Sequence, residues 1–157
     1  MPGTGSGLTN RIQYEPALSP KTSTHFECDL RIDATDSTGV SNIVWLFFDP
    51  TTNASLGFYV SGQETGIQTT PSYAQKRAAP PLQVGKWTHV DLDLAFEPSA
   101  ATVTVALDGV VVLDAFALEK SFSGGGGGEV SLGPAYYTSA TVTATEAHFD
   151  NVMVEHH

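Results

Sequence analysis

"GKWTHVDLDL", residues 85–94, decides how the rest of the chain is read. A turn glycine, Gly85, leads into Trp87, and apolar Val90, Leu92 and Leu94 then alternate with polar His89, Asp91 and Asp93. A period of two places the two sets on opposite faces of a pleated strand, whereas an amphipathic helix would repeat its apolar residues at i, i+3, i+4 and i+7. The stretch is therefore a half-buried strand. Its polar row is either the wet side of a sheet or a site for a metal. Residues two apart on a strand lie about 7 Å from each other, while ligands of one ion converge to about 2 to 2.5 Å from it. Three residues in a straight row cannot meet one ion without help from neighbouring strands, so the row reads as the solvated face.

The same period recurs along the chain. Strands are predicted over 24–33, 42–49, 55–61, 65–70, 86–94, 101–107, 110–116, 128–133, 140–146 and 147–155, in runs rich in Val, Ile, Thr, Phe and Tyr. "LDGV", residues 107–110, carries the Asp-Gly pair of a two-residue hairpin turn. No segment sustains a helical period, so the fold class is all-β, a two-sheet antiparallel β-sandwich or jelly roll. Residues 1–20, with Pro2, Gly3, Gly5, Gly7, Pro16 and Pro20, read as an extended lead-in or linker. Residues 21–155 form a single sandwich domain, and His156 and His157 read as the start of a purification tag. Residues 71–84 contain Pro71, Pro80 and Pro81 and read as a loop over one sheet. Glycines 124–128 read as a flexible connection, because a phosphate cradle would be followed by a helix and here a strand follows.

Composition narrows the function. The chain has 157 residues, 41% of them hydrophobic, and no apolar run near the roughly 20 residues of a membrane helix. Seventeen acidic residues against 7 basic give a formal charge of -10, and Lys76-Arg77 is the only adjacent basic pair. Such a surface repels a phosphate backbone and argues against nucleic acid as a partner. The single cysteine, Cys28, excludes an internal disulfide and shares strand parity with Phe26, Leu30 and Ile32, which places it in the core. An acidic surface rich in Thr and Gly suits a secreted or cell-surface location.

Aromatic residues carry the leading functional expectation. "IVWLFFD" is apolar at both parities, with Trp45 and Phe47 on one face and Val44, Leu46 and Phe48 on the other, so both faces need cover. In "SLGFYVS", Leu56, Phe58 and Val60 face the core and Tyr59 is expected on the outer or concave face. Tyr73 falls in the long loop, and Tyr136 and Tyr137 fall between late strands. A ring with a polar neighbourhood stacks on the apolar face of a sugar while nearby Asp, Asn or Gln bind its hydroxyls. Trp45, Phe47, Tyr59, Tyr73, Tyr136 and Tyr137 are thus the candidate glycan-binding residues.

"GKWTHVDLDL" followed by "VTVALDGVVVL" resembles the tryptophan strand and Asp-Gly hairpin of concanavalin A-like and laminin G-like jelly-roll domains. The closing "HFDNVMVE" is similar to the last strand of many bacterial carbohydrate-binding and lectin-like sandwiches. The resemblance spans about residues 24–155. It implies an exported bacterial module without catalytic activity, whose partner is a glycan or, next, a cell-surface protein. It also implies that Trp87 packs at the start of its strand and that Asp150, sharing parity with Val152 and Val154, contributes to a structural calcium site or caps nearby amides. A second implication is enzymatic. Laminarinase-like glucanases carry Glu-x-Asp-x-x-Glu or a bulged form, to which Glu27, Asp29 and Asp33 in "ECDLRID" are similar, with aspartate in place of the last glutamate. The alternative function is then a small glycoside hydrolase or polysaccharide lyase using these three carboxylates, although Arg31 between them would keep a partner ionised, which is wrong for a general acid. A third reading is an accessory adhesion domain with no ligand of its own. No Gly-x-Ser-x-Gly elbow, His-Glu-x-x-His, P-loop or dinucleotide fingerprint occurs.

Overall fold

The computed structural model describes residues 12–14, 22–34, 40–49, 54–70, 72–119, 129–136 and 146–157. Among them the chain forms β1 (Ile12–Tyr14), β2 (Ser23–Ala34), β3 (Ser41–Asp49), β4 (Ala54–Val60), β5 (Thr65–Thr70), β6 (Gln75–Ala79), β7 (Trp87–Glu97), β8 (Ala100–Leu107), β9 (Val110–Ala117), β10 (Glu129–Tyr136) and β11 (Glu146–His156). They build two antiparallel sheets, one of six strands in the order β1-β10-β3-β4-β5-β6 and one of five in the order β11-β2-β7-β8-β9. This is the jelly-roll sandwich that the alternating pattern predicts.

The core lies between the sheets. β2 contributes Phe26, Cys28, Leu30 and Ile32, β7 contributes Val90, Leu92, Leu94 and Phe96, and β3 to β5 answer with Val44, Leu46, Leu56, Phe58 and Ile67. Each is a strand residue of inward parity, and burying one such side chain stabilises by about 1.5–3 kcal/mol. Cys28 is fully buried, and desolvation, with Asp29 and Glu27 nearby, pushes its thiol up to about 12, which leaves it an inert core residue. The β8–β9 hairpin turns through Asp108 and Gly109, both at positive φ (50° and 75°), the geometry that favours the Asp-Gly pair.

Several boundaries differ from the sequence expectation. The stretch read as a loop over 71–84 holds β6, because Pro71 and Pro80 flank Gln75–Ala79 and leave it free to pair with β5 as an edge strand. Part of the lead-in, Ile12–Tyr14, pairs with β10. The last strand runs through His156, which pairs with Thr24, and the His157 backbone bonds to Ser23, so both histidines are tied to β2. Of the strand expected over 140–146 only Glu146 is described, and glycines 124–128 and Tyr137 lie outside the described residues.

Candidate functional site: the outward face of the five-stranded sheet

β2 lies between β11 and β7, and its outward residues are His25, Glu27, Asp29, Arg31 and Asp33. Register then stacks partners on both sides. Arg31 stands opposite Trp87 and His148, Asp29 opposite His89 and Asp150, Glu27 opposite Asp91 and Met153, and His25 opposite Asp93 and Glu155. Two rows read separately in the sequence, Glu27/Asp29/Asp33 and His89/Asp91/Asp93, therefore meet as one ionisable surface.

Its contacts form a ladder. Asp29 Oδ1 lies 2.9 Å from His89 Nδ1, and Asp29 Oδ2 accepts from Asn151 Nδ2 at 2.6 Å. Bonds from Asn151 first, and from His89, hold the Asp29 carboxyl below its ordinary range, while the same Asp29 contact raises His89. Arg31 donates to Asp33 at 2.7 Å and holds that carboxyl low as well. Burial lowers His25, yet the 2.7 Å contact with Asp93 and the charge of Asp91 outweigh it, so its net shift is upward. Asp91 is raised, first by burial and then by Asp93 beside it. At the top of the face Trp87 is 43% exposed, with the Arg31 guanidinium 5.4 Å from its ring centroid.

Trp87 thus opens β7 on the outward face, opposite in parity to Val90, Leu92 and Leu94. It has the parity of His89, Asp91 and Asp93, and that shared parity is the sequence signal for its outward position. Asp150 departs from expectation. A bulge between Asp150 and Met153, with Asn151 at φ 49°, inserts one residue and reverses parity. Asp150 is consequently exposed on the solvated face, where its Oδ1 accepts the Asn151 backbone N–H at 2.8 Å. Among the described residues no group of three acidic or histidine ligands converges on Asp150. It acts here as an amide cap.

The six-stranded sheet receives the expected aromatics differently. Trp45 and Tyr59 are 3% and 0% exposed, buried on the side of the sheet away from the core. Tyr59 donates to Glu64 at 2.7 Å, and burial followed by that bond raises its hydroxyl. Asn42 Nδ2 donates to Gln68 Oε1 at 2.7 Å in the same layer. Glycines make room: a side chain on Gly57 would strike Asn42 and Trp45, and one on Gly66 would strike the Lys76 carbonyl and the Tyr59 hydroxyl. Tyr73, in the β5–β6 turn at φ 57°, is 54% exposed. Phe47 and Tyr136 belong to β3 and β10, but their side chains, like all of Tyr137, lie outside the described residues. Trp45 and Tyr59 are thus enclosed and offer no ring to a ligand.

The architecture is the concanavalin A-like jelly-roll sandwich. Neither a family model nor a curated protein matches the sequence. Among solved structures the chain is similar to Cip1, a cellulose-induced protein, with TM-score 0.66 and 12% identity over 87% of this chain and 68% of that one. It is also similar to an alginate lyase from Corynebacterium sp., with TM-score 0.65 and 8% identity over 90% of this chain and 62% of the lyase. An alginate lyase from Pseudomonas aeruginosa gives TM-score 0.58 and 13% identity over 87% and 66%. The chain thus spans less than two thirds of the length of either lyase. At these identities the likeness is one of fold.

Proposed function

We propose that this domain is an extracellular, non-catalytic module that binds a neutral glycan on the outward face of the five-stranded sheet. The observation that carries the reading is Trp87, 43% exposed on a strand, with Arg31 opposite it in register and Asp29 and His89 one rung along. A sugar ring stacks on the indole, while Asp29, His89 and Asn151 offer acceptors and donors one rung away. Fixed strands hold these groups, so little ordering is lost on binding. The fold neighbours support the carbohydrate class, since they include alginate lyases and a cellulose-induced protein. That class favours an extracellular setting, and no described helix is long and apolar enough to cross a membrane.

Neutral glycans are favoured over polyuronates by charge. Glu27, Asp29, Asp33, Asp91 and Asp93 share the face, and Arg31 is engaged by Asp33. A polyanion approaching it meets repulsion. The lyase neighbours favour a second reading, a hydrolase or lyase built on Glu27, Asp29 and Asp33. Against it, Asp29 and Asp33 are both held low and stay ionised, so neither suits the general acid of a glycosidase.

The test is a glycan array followed by titration calorimetry with neutral glucans and with alginate, each with calcium and with a chelator. Neutral-glucan binding that Trp87→Ala removes, without loss of fold, supports the module. A blank array, or binding indifferent to Trp87, overturns it. New reducing ends, or the ultraviolet absorbance of an unsaturated uronate, abolished by Glu27→Gln, establishes the enzyme instead. Chelator-sensitive binding would return calcium to the account.

A further inference from the structure

At the lower end of the same face β2 and β7 bring an imidazole between two carboxylates. We propose that His25, Asp91 and Asp93 form a site for a divalent transition-metal ion of the zinc type, oriented by Glu27. The inference does not depend on the glycan reading.

The geometry starts from register. His25 stands opposite Asp93, and Asp91 faces Glu27 one rung along, so Asp91 and Asp93 of one strand flank His25 of the next. One ligand atom from each of the three residues lies within 4.8 Å of the others. His25 Nδ1 is 2.7 Å from Asp93 Oδ1 and 3.6 Å from Asp91 Oδ1. Around zinc, with bonds of about 2.0–2.2 Å, tetrahedral ligand atoms sit about 3.3–3.6 Å apart. The Asp91 separation already fits. Asp93 must retreat by less than about 1 Å to match such a shell, and its side chain, 61% exposed, is free to do so.

The other ring nitrogen also has a carboxylate beside it. His25 Nε2 lies 3.4 Å from Glu27 Oε2. The 2.7 Å contact holds a proton between Nδ1 and Asp93; a bound cation would release that proton to water and take the Nδ1 lone pair, while Glu27 beside Nε2 would hold the remaining ring proton, the outer-shell arrangement found behind metal-binding histidines. One imidazole nitrogen with two carboxylate oxygens suits zinc and its first-row neighbours, whereas calcium and magnesium prefer all-oxygen sets. The outward opening leaves further coordination positions to water.

Two neighbouring arrangements are less suited. His89 is turned away from Asp91 and toward Asp29, so the straight row of β7 alone does not make the site. Asp33, Glu146 and His148 also converge, but the Asp33 oxygen nearest His148 already carries the Arg31 guanidinium at 2.7 Å, and a cation there would meet that charge.

Calorimetric titration of the whole chain with zinc chloride, beside calcium chloride, tests the assignment. One zinc per chain is expected, with at least tenfold weaker binding in His25→Gln and in Asp93→Asn, and 10- to 100-fold weaker binding in Glu27→Gln. His148→Gln and His157→Gln should bind as the parent does, and circular dichroism checks that every variant is folded. Absence of zinc binding overturns the proposal. So does affinity unchanged in His25→Gln, affinity lost in His148→Gln or His157→Gln, or calcium bound as tightly as zinc.

Discussion

The two sheets turn similar apolar faces to each other and opposite characters outward. On the six-stranded sheet the outer layer is Asn42, Trp45, Tyr59 and Gln68, all buried. On the five-stranded sheet it is Trp87, His89, Asp91 and Asp93, partly or largely solvated. Both layers combine an aromatic ring with polar partners. The first is enclosed, and its neighbours are fitted to it, down to the glycines that admit Trp45 and Tyr59. The second keeps its charges in reach of water, where they titrate and can meet a ligand. An outward parity therefore does not by itself make a residue available. What covers the face decides between scaffold and site.

Substitutions of the two tryptophans should separate the faces most widely. Trp45→Ala is expected to cost about 3–5 kcal/mol in denaturant unfolding, since it empties a buried aromatic position. Trp87→Ala should change stability by within about 0.5 kcal/mol and act on glycan binding instead. Equal costs for the two would break the comparison. Gly66→Ala should follow at about 1–3 kcal/mol, because its methyl group would meet the Tyr59 hydroxyl at 2.9 Å and also the Lys76 carbonyl, forcing β6 outward. Gln68→Ala removes the partner of Asn42 inside the enclosed layer and should cost about 1–3 kcal/mol, measured the same way.

Much of this contrast could be read from strand parity, and part could not. "WTHVDLDL" fixed which residues of β7 face the core, and Asp108-Gly109 fixed the hairpin beside it. The meeting of His25 with Asp91 and Asp93 could not be read there, because it depends on β2 pairing with β7 across more than sixty residues of sequence. Asp150 lies on the face opposite to the one its alternation predicts, because a bulge shifts parity by one residue and leaves no mark in the sequence pattern. Tyr59 lies on the outer face that its parity predicts and is nonetheless enclosed, since no local pattern reports what lies over a sheet.

The smallest expected effect concerns acid. Asp29 and Asp33 both have carboxyls held below their ordinary value of 3.8, by Asn151 and His89 in one case and by Arg31 in the other. A group depressed in the folded state contributes stability that is present above its unfolded value and lost as pH falls through the folded one. The contribution of these two should therefore be complete above 3.8 and fade below it. Asp91 works against them, because its raised carboxyl favours protonation and so gains on the same descent. Melting temperature followed downward in pH should fall on the acid side. Asn151→Ala and Arg31→Gln should each lower the curve above 3.8 and flatten its acid fall, converging on the parent at low pH, while Gln68→Ala, on the enclosed face, should lower the whole curve without changing the steepness of that fall. An acid fall as steep in both surface variants as in the parent would show that the outward carboxylates are too well solvated to couple to folding, and would leave ligand binding as the main role of that face.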